Sequence, residues 1–403
     1  MASPSDFLSL NASPARIKKG KLFKNGKVFR RGMSLHGPLP VCTFGPKAST
    51  CPDVSPREYE MDPNDQKLKW SKPPESVLVI KRLDTETNKQ FVSLVTWLMT
   101  TLKMIVFVES KLLDDTNLKG MQDFFPVYKK LKTNYSTNDI DMVICLGGDG
   151  TLLYAASLFQ SSMPPVIAFH SGSLGFITSH KFENYQDTIQ NVRSGNAILM
   201  LRSRLRCCIY RESVNGSLND GMEGKETHND KPNSYLCLNE VVVNRGQSQY
   251  LCNIDLFLEG RRITSVQGDG LIISTPTGST AYAVAAGASM VHPNVPAIMV
   301  TPICPHSLSF RPIIVPAGAE LKFTVSDNAR GPASVSFDGR PSIDIMKGDF
   351  VTVRTSVHPT PCVCRSNPFD DWFDSLSECL HWNSRRIQKD LVLSAQDLSS
   401  LYS

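Results

Sequence analysis

Apolar residues along this chain change their period near residue 200, and that change divides the molecule. Between residues 76 and 192, short apolar runs alternate with segments of helical period. Ser76–Ile80 reads as a buried strand introduced by Pro73-Pro74, and Met104–Val108 and Met142–Leu146 read as two more. Within Asn88–Lys103, Phe91, Leu94, Val95 and Leu98 recur at helical spacing. The alternation continues with a helix at Thr151–Phe159, a strand at Val166–Phe169 and a helix at Phe182–Val192. Strands alternating with helices predict crossover units and a parallel sheet. Ligands of such sheets sit beyond the carboxyl ends of the strands. Two glycine loops, at Gly147 and Gly172, fall at such ends.

After residue 200, strand-like runs follow one another with few helices between them. They are Leu205–Tyr210, Tyr235–Asn244, Asn253–Leu258, Leu271–Ser274, Leu321–Val325, Val335–Phe337 and Phe350–Arg354. This predicts a second, mostly antiparallel domain. One small-residue helix interrupts it at Ser279–Met290, and an amphipathic helix from Asp370 to about Lys389 follows it in the tail. Glu212–Ser234 is polar with three glycines and reads as a flexible insertion. The first 70 residues are rich in Ser, Pro, Gly, Lys and Arg, and read as a disordered basic tail. The expected organisation is a tail over 1–70, an α/β domain over 71–200, a β-rich domain over 201–365 and a helix with tail over 366–403.

Composition narrows the class. The 403 residues are 41% hydrophobic and 20% charged, as in globular proteins generally. No stretch approaches the roughly 20 apolar residues of a membrane helix, so no membrane partner is expected. The net charge of +5 is mild and its excess sits in the first fifty residues, which argues against a nucleic-acid surface. Of the eleven cysteines, Cys145, Cys237, Cys252 and Cys304 lie in apolar runs. The close pairs Cys207-Cys208 and Cys362-Val363-Cys364 lack zinc-site spacing, so reduced thiols in the cytosol or an organelle matrix are expected. In the tail, Lys18, Lys19, Lys21, Lys24, Lys27, Arg30 and Arg31 lead to Ser34. Arginines three and four residues before a serine resemble a basophilic protein-kinase site; a solvated tail is the plainer alternative. A mitochondrial transit peptide would share this composition, but scattered Pro and Gly oppose its helix.

Three motifs carry chemistry. The first, Gly147-Gly148-Asp149-Gly150-Thr151, joins an apolar strand to a helix. Such turns aim unpaired backbone N–H groups at phosphates. A carboxylate among those donors suits a base for a hydroxyl, or a partner for a phosphate-bound metal, and points to phosphoryl transfer. The second is Asn239-Glu240 at the edge of an apolar strand. Its amide can read a base edge and its carboxylate can accept from vicinal ribose hydroxyls; a solvent-facing strand cap is the alternative. The third runs from Gly268-Asp269-Gly270 to Thr280-Ala281-Tyr282 and packs five hydroxyl residues around Pro276 and Gly278. Such a turn offers donors to phosphate, although a Ser/Thr helix cap explains part of it. His170, His292 and His306 lack paired ligands and are assigned no metal.

Taken together, in this order and with His292–Pro312 following, these motifs resemble the NAD kinase family, including the animal cytosolic form through Ser34–Pro38. The resemblance covers about residues 76 to 385. It implies an α/β domain and a β-rich domain with the site between them, in a homo-oligomer, usually a tetramer. It implies transfer of the γ-phosphoryl group of ATP, with a divalent metal such as Mg2+, to the 2′-hydroxyl of the adenosine ribose of NAD. Asp149 matches the catalytic base. Gly148, Gly150, Thr151, Asn239, Glu240, Asp269, Thr280, Ala281 and Tyr282 match dinucleotide contacts, and the metal ligands stay unassigned. Gln267 and Arg340 depart from the bacterial pattern, which bears on the nicotinamide half. A lipid kinase sharing the glycine turn and a non-catalytic dinucleotide sensor are the rival readings.

Overall fold

The computed structural model describes residues 43–44, 46–51, 65–113, 139–172, 174–212 and 233–384. Ser34, the basic run before it, most of the 212–234 insertion and Lys389 lie outside the described residues. In the first half, the strands are β1 (Thr43–Phe44), β2 (Ala48–Cys51), β3 (Asp65–Trp70), β4 (Ser76–Lys81), β5 (Ile105–Val108), β6 (Met142–Leu146), β7 (Val166–His170), β8 (His180–Lys181) and β9 (Ile198–Arg202). Helices α1 (Asn88–Thr100), α2 (Asp149–Leu158) and α3 (Tyr185–Arg193) connect them.

The second half holds β10 (Leu205–Tyr210), β11 (Asn233–Cys237), β12 (Glu240–Asn244), β13 (Cys252–Leu258), β14 (Arg261–Gly268), β15 (Gly270–Ser274) and the one-turn helix α4 (Tyr282–Ala285). It continues with β16 (Ala297–Ile303), β17 (Ile313–Pro316), β18 (Leu321–Val325), β19 (Ala333–Phe337), β20 (Ile343–Ile345), β21 (Phe350–Thr355), β22 (Thr360–Val363) and α5 (Pro368–Leu380).

The first sheet has ten strands, ordered β1-β2-β3-β9-β22-β7-β6-β4-β5, with β8 beside β7. Its heart is the expected parallel array: β5, β4, β6 and β7 run parallel and are buried on both faces. The sheet as a whole is mixed, because β9, β3, β2 and β1 extend it antiparallel. Two expectations change here. Residues 43–44, 48–51 and 65–70 form strands, so a disordered tail over 1–70 does not describe them. Likewise β22, expected inside the second domain, returns to the first sheet between β9 and β7.

Two six-stranded antiparallel sheets, β11-β10-β21-β18-β13-β14 and β17-β16-β15-β12-β19-β20, make up the β-rich part. Inward residues from both, such as Ile254 and Phe323 from one and Val241 and Ile273 from the other, share one core. The run Tyr235–Asn244, expected as one strand, is two: β11 belongs to one sheet and β12 to the other. The expected helix Ser279–Met290 is a 3-10 turn (Thr277–Thr280) plus α4, ended by Gly287 at φ +87°. Helix α5 starts earlier than expected, where the Asn367 side chain accepts from Phe369 N and Asp370 N. It stops at His381, which is left-handed. Among the described residues no helix is long and apolar enough to cross a membrane.

Arg204, fully buried between β9 and β10, donates to the carbonyls of Phe159 (2.6 Å), Ser161 (2.6 Å), Ala156 (3.3 Å) and His358 (2.6 Å). It thereby closes the carboxyl end of α2. The opposite end of that helix carries Asp149.

Candidate active site

The turn that ends β6 is shaped by a close approach of Gly147 to Thr151. Gly147 has φ +150°, and a Cβ on it would lie 2.3 Å from Thr151 Oγ1. Gly148 and Gly150, by contrast, have no atom within 4 Å of where a Cβ would stand, so both face open space. Thr151 is buried beneath them and its N–H donates to Gly148 O. Asp149 opens α2, where a negative charge suits the positive end of the helix dipole.

The Asp149 carboxylate is held by the second glycine loop. Oδ1 accepts from Ile177 N (3.1 Å) and Thr178 Oγ1 (2.9 Å), and Oδ2 accepts from Phe176 N (2.9 Å). A carboxylate offers roughly four acceptor positions, so one direction on Oδ2 stays available. Gly175 is required by this embrace, because a Cβ there would lie 2.1 Å from Oδ1. The Cys379 thiol of α5 donates to Leu174 O at 3.3 Å and tethers the same loop. Burial first, and then the charge of Asp149, pushes that thiol up.

Across from α2, Asn239 and Glu240 lie where the chain passes from one β-sheet to the other. Asp338 makes that crossing possible. Its carboxylate accepts from Leu238 N (2.6 Å), Asn239 N (2.8 Å) and Glu240 N (3.1 Å). Asp338 itself sits at φ +49°, and burial raises its carboxyl above the usual range. Leu238, the residue just before the pair, packs in the cluster that holds Leu152 and Ala155 of α2.

Glu240 is only 8% exposed, and its Oε2 has no protein partner. Burial, followed by the Asp338 charge, pushes its carboxyl up to about 8. Directly opposite on β15 stands Ser274, whose buried Oγ is also unpartnered. Opposed residues of an antiparallel pair share a face, so two unsatisfied polar groups lie side by side. A buried polar atom left without a partner costs roughly 1–3 kcal/mol, which a ligand with hydroxyl groups would recover.

The hydroxyl-rich turn behaves differently from the sequence reading. Thr275 Oγ1 donates to Leu238 O, Ser279 Oγ to Pro276 O, and Thr280 Oγ1 to Thr277 O. Thr277 Oγ1 accepts from Arg202 at 3.3 Å. These hydroxyls fasten the turn to the Asn239 segment and to the first sheet; they do not point free donors outward. Gly278 presses on that segment, since its Cβ would meet Asn239 O at 2.3 Å. Ala281 and the half-exposed Tyr282 follow immediately, where α4 begins.

Asp269 is not brought to this cluster. It precedes β15 and pairs with Arg245 (3.0 Å), whereas Glu240 and Ser274 lie at the other end of that strand. Roughly 17 Å of strand separates them. Asp338, Gly175 and Thr178 were not singled out as site residues from the sequence. Asp338-Gly339 after an apolar strand was the one available signal; Thr178 left none.

Comparisons with known proteins agree with this geometry. Family models described as the ATP-NAD kinase N-terminal and C-terminal domains match residues 77–197 and 238–364. NAD kinase 2, chloroplastic, of Arabidopsis thaliana is 44% identical over 332 residues, spanning 81% of this chain and 32% of that protein. The NAD(+) kinase of Saccharomyces cerevisiae is 44% identical over 252 residues, spanning 62% of this chain and 47% of that one. The chain thus spans a third to a half of these relatives' length. Among solved structures, yeast NADH kinase complexed with NADH superposes with a TM-score of 0.71 at 30% identity, covering 86% of this chain and 97% of that one. The chain belongs to the NAD kinase family.

Proposed function

We propose that the protein transfers the γ-phosphoryl group of ATP to the 2′-hydroxyl of the adenosine ribose of NAD, giving NADP. The observation that carries this reading is the buried pair of unpartnered groups, Glu240 Oε2 and Ser274 Oγ, the first of them two residues along from Leu238, which packs on the helix that begins with Asp149. A ribose edge supplies the hydroxyl donors that Glu240 lacks. Asn239 and the Thr280–Tyr282 segment flank the adenosine, and Gly148, Gly150 and Thr151 border the phosphates.

Asp149 Oδ2 accepts the 2′-hydroxyl proton while that oxygen forms its bond to the γ-phosphorus. The bond from that phosphorus to the bridging oxygen breaks, and ADP leaves with the electron pair. Base catalysis of this kind is worth roughly 10²–10⁴-fold; the rest is positioning and charge neutralisation. Among the described residues no three His, Cys, Asp or Glu side chains converge on one point. A divalent metal would therefore be held mainly by the phosphates and water, with the buried Glu109 as the nearby carboxylate. When bound, it neutralises phosphate charge.

The remaining parts of the reading concern the assembly and its setting. The protein acts as a homo-oligomer, a tetramer by family resemblance, and Asp269 is offered to a neighbouring copy since it cannot reach its own chain's Glu240. It works in the cytosol, in keeping with nine free cysteines among the described residues. Ser34 is the site of a basophilic serine kinase. Incubation with Mg-ATP and NAD, NADH or diacylglycerol tests the core of this. Phosphorylation of a dinucleotide is expected; labelling of the lipid alone, or of nothing, would overturn it.

A further inference from the structure

The loop that holds Asp149 is itself gripped from the far end of the chain. Helix α5 reaches it with Cys379, whose thiol donates to Leu174 O at 3.3 Å and lies near enough to feel the Asp149 charge. Leu174 begins the segment whose Phe176, Ile177 and Thr178 donate to that carboxylate. The thiol takes no part in the proton transfer. Burial and the Asp149 charge push it up, so it stays protonated and remains a donor.

The other end of α5 is fastened elsewhere. The Phe369 ring stacks on His292 with centroids 4.8 Å apart, and Trp372 meets the same imidazole edge-on at 5.1 Å. Asn294 N donates to His292 Nδ1 (3.2 Å), and Nε2 donates to Pro368 O (3.4 Å). Val291, the residue before the histidine, donates through its N–H to the buried Ser279 Oγ at 2.9 Å. Ser279 belongs to the hydroxyl-rich turn that leads into Thr280–Tyr282, the segment proposed to flank the adenosine. One uninterrupted series of contacts therefore runs from that turn, through the helix, to the loop of the base.

Helix α5 is suited to carry such a link. Its first turn is locked: Asn367 caps it, and the buried Asp371 carboxylate accepts from Arg365 N (2.7 Å), Ser366 N (3.1 Å) and Ser366 Oγ (3.1 Å). Ser375 and Leu376 anchor its middle, both buried. Its thirteen residues make a rod of roughly 20 Å. Packed side chains and rigid elements of this kind carry coupling between distant groups. We propose that α5 is a strut: it positions Asp149 by tethering Leu174 through Cys379, and His292 holds its other end against the turn that leads to Thr280–Tyr282. Cys379 and His292 are then positioning residues, and neither touches the reacting atoms. This rests on the phosphoryl-transfer reading above.

Hydrogen exchange of the Phe176 and Ile177 amides, which donate to Asp149, reads the grip on the base in the full chain without any turnover. Cys379→Ala speeds it about three- to tenfold, the worth of one modest hydrogen bond. Cys379→Ser keeps a donor for Leu174 O and stays within about twofold of wild type. The buried amides of β4 are the reference and change by less than about twofold in every variant. With Mg-ATP and NAD, kcat falls in Cys379→Ala and recovers in Cys379→Ser, while KM for NAD holds. His292→Ala also speeds exchange at Phe176 and Ile177, and adding Cys379→Ala to it brings less than the product of the two single effects, because the strut is already cut. Unchanged exchange in Cys379→Ala overturns the tether. No response at Phe176 and Ile177 to His292→Ala, or a fully multiplicative double variant, overturns the strut. If exchange responds as expected while no dinucleotide is phosphorylated by the wild type, the kinase reading fails and the strut stands.

Discussion

Two carboxylates, Asp149 and Glu240, have been treated in opposite ways by the fold. Asp149 is finished by protein: three donors from residues 176–178 fix it, and Gly175 is there to let them close in. Glu240 is left unfinished: one oxygen is buried without a partner and its carboxyl is pushed up to about 8. On the proposed function, the contrast separates a group that must be aimed before substrate arrives from one that substrate completes. A base works by being held at one distance and angle. A recognition group discriminates best when its own satisfaction depends on the ligand.

The most severe way to break this comparison is Asp149→Asn. An amide cannot take the hydroxyl proton, so kcat falls by roughly 10²–10⁴-fold. Its Nδ2 also meets one of the donors from the loop, which costs about 1–3 kcal/mol, and a lowered melting temperature reports this. Dinucleotide binding, measured by titration, stays close to wild type because Glu240 is untouched. Activity near wild type would remove Asp149 as the base.

Gly175→Ala attacks the aiming without removing the carboxylate. A methyl group 2.1 Å from Oδ1 forces the loop or the carboxylate aside. A displacement of that order costs up to about 10²-fold in turnover. Steady-state kinetics should show the loss in kcat, with KM for NAD little changed. A loss confined to KM would mean that the loop serves binding instead.

How much of this was legible follows the same division. The glycine turn, the strand-helix rhythm and the parallel heart of the first sheet could be read because apolar period and glycine are local signals. What could not be read depends on partners distant in sequence. Strands β14 and β17 are polar or short edge segments without a clear period, and β22 finds its neighbours about 160 and 195 residues upstream. Asn239-Glu240 was legible as an oddity, but its cause was not, since Asp338 acts from about 100 residues away. The hydroxyl-rich turn misled because Thr275, Ser279 and Thr280 look identical in sequence whether they face a phosphate or their own backbone.

Glu240→Gln sharpens the other half of the comparison. Ribose hydroxyls donate best to a carboxylate, and the free protein holds Glu240 protonated below about pH 8. Binding therefore releases a proton, and NAD affinity rises with pH up to about 8 and then levels off. The glutamine variant binds about tenfold more weakly or worse and loses this pH dependence, as titrations at pH 6, 7, 8 and 9 would show. Stability runs the other way. An acid raised from 4.5 to about 8 on folding contributes fully below pH 4.5 and loses that contribution as pH climbs toward 8. The wild type should lose more melting temperature than the variant between pH 6 and 9; equal losses would mean that Glu240 ionises normally.

The mildest test asks whether the hydroxyl-rich turn is scaffold. Thr280 donates only to the Thr277 carbonyl one turn back, at 3.2 Å, on a partly exposed rim. If its hydroxyl serves the turn alone, Thr280→Val removes a local bond that water replaces, and stability changes by no more than about 0.5 kcal/mol. kcat and KM for both substrates should then stay within about twofold. A loss of tenfold or more in KM for NAD would place the Thr280 hydroxyl on the dinucleotide. The turn would then belong with Glu240 among the groups that the ligand completes, and no longer with Asp149 among those the protein completes itself.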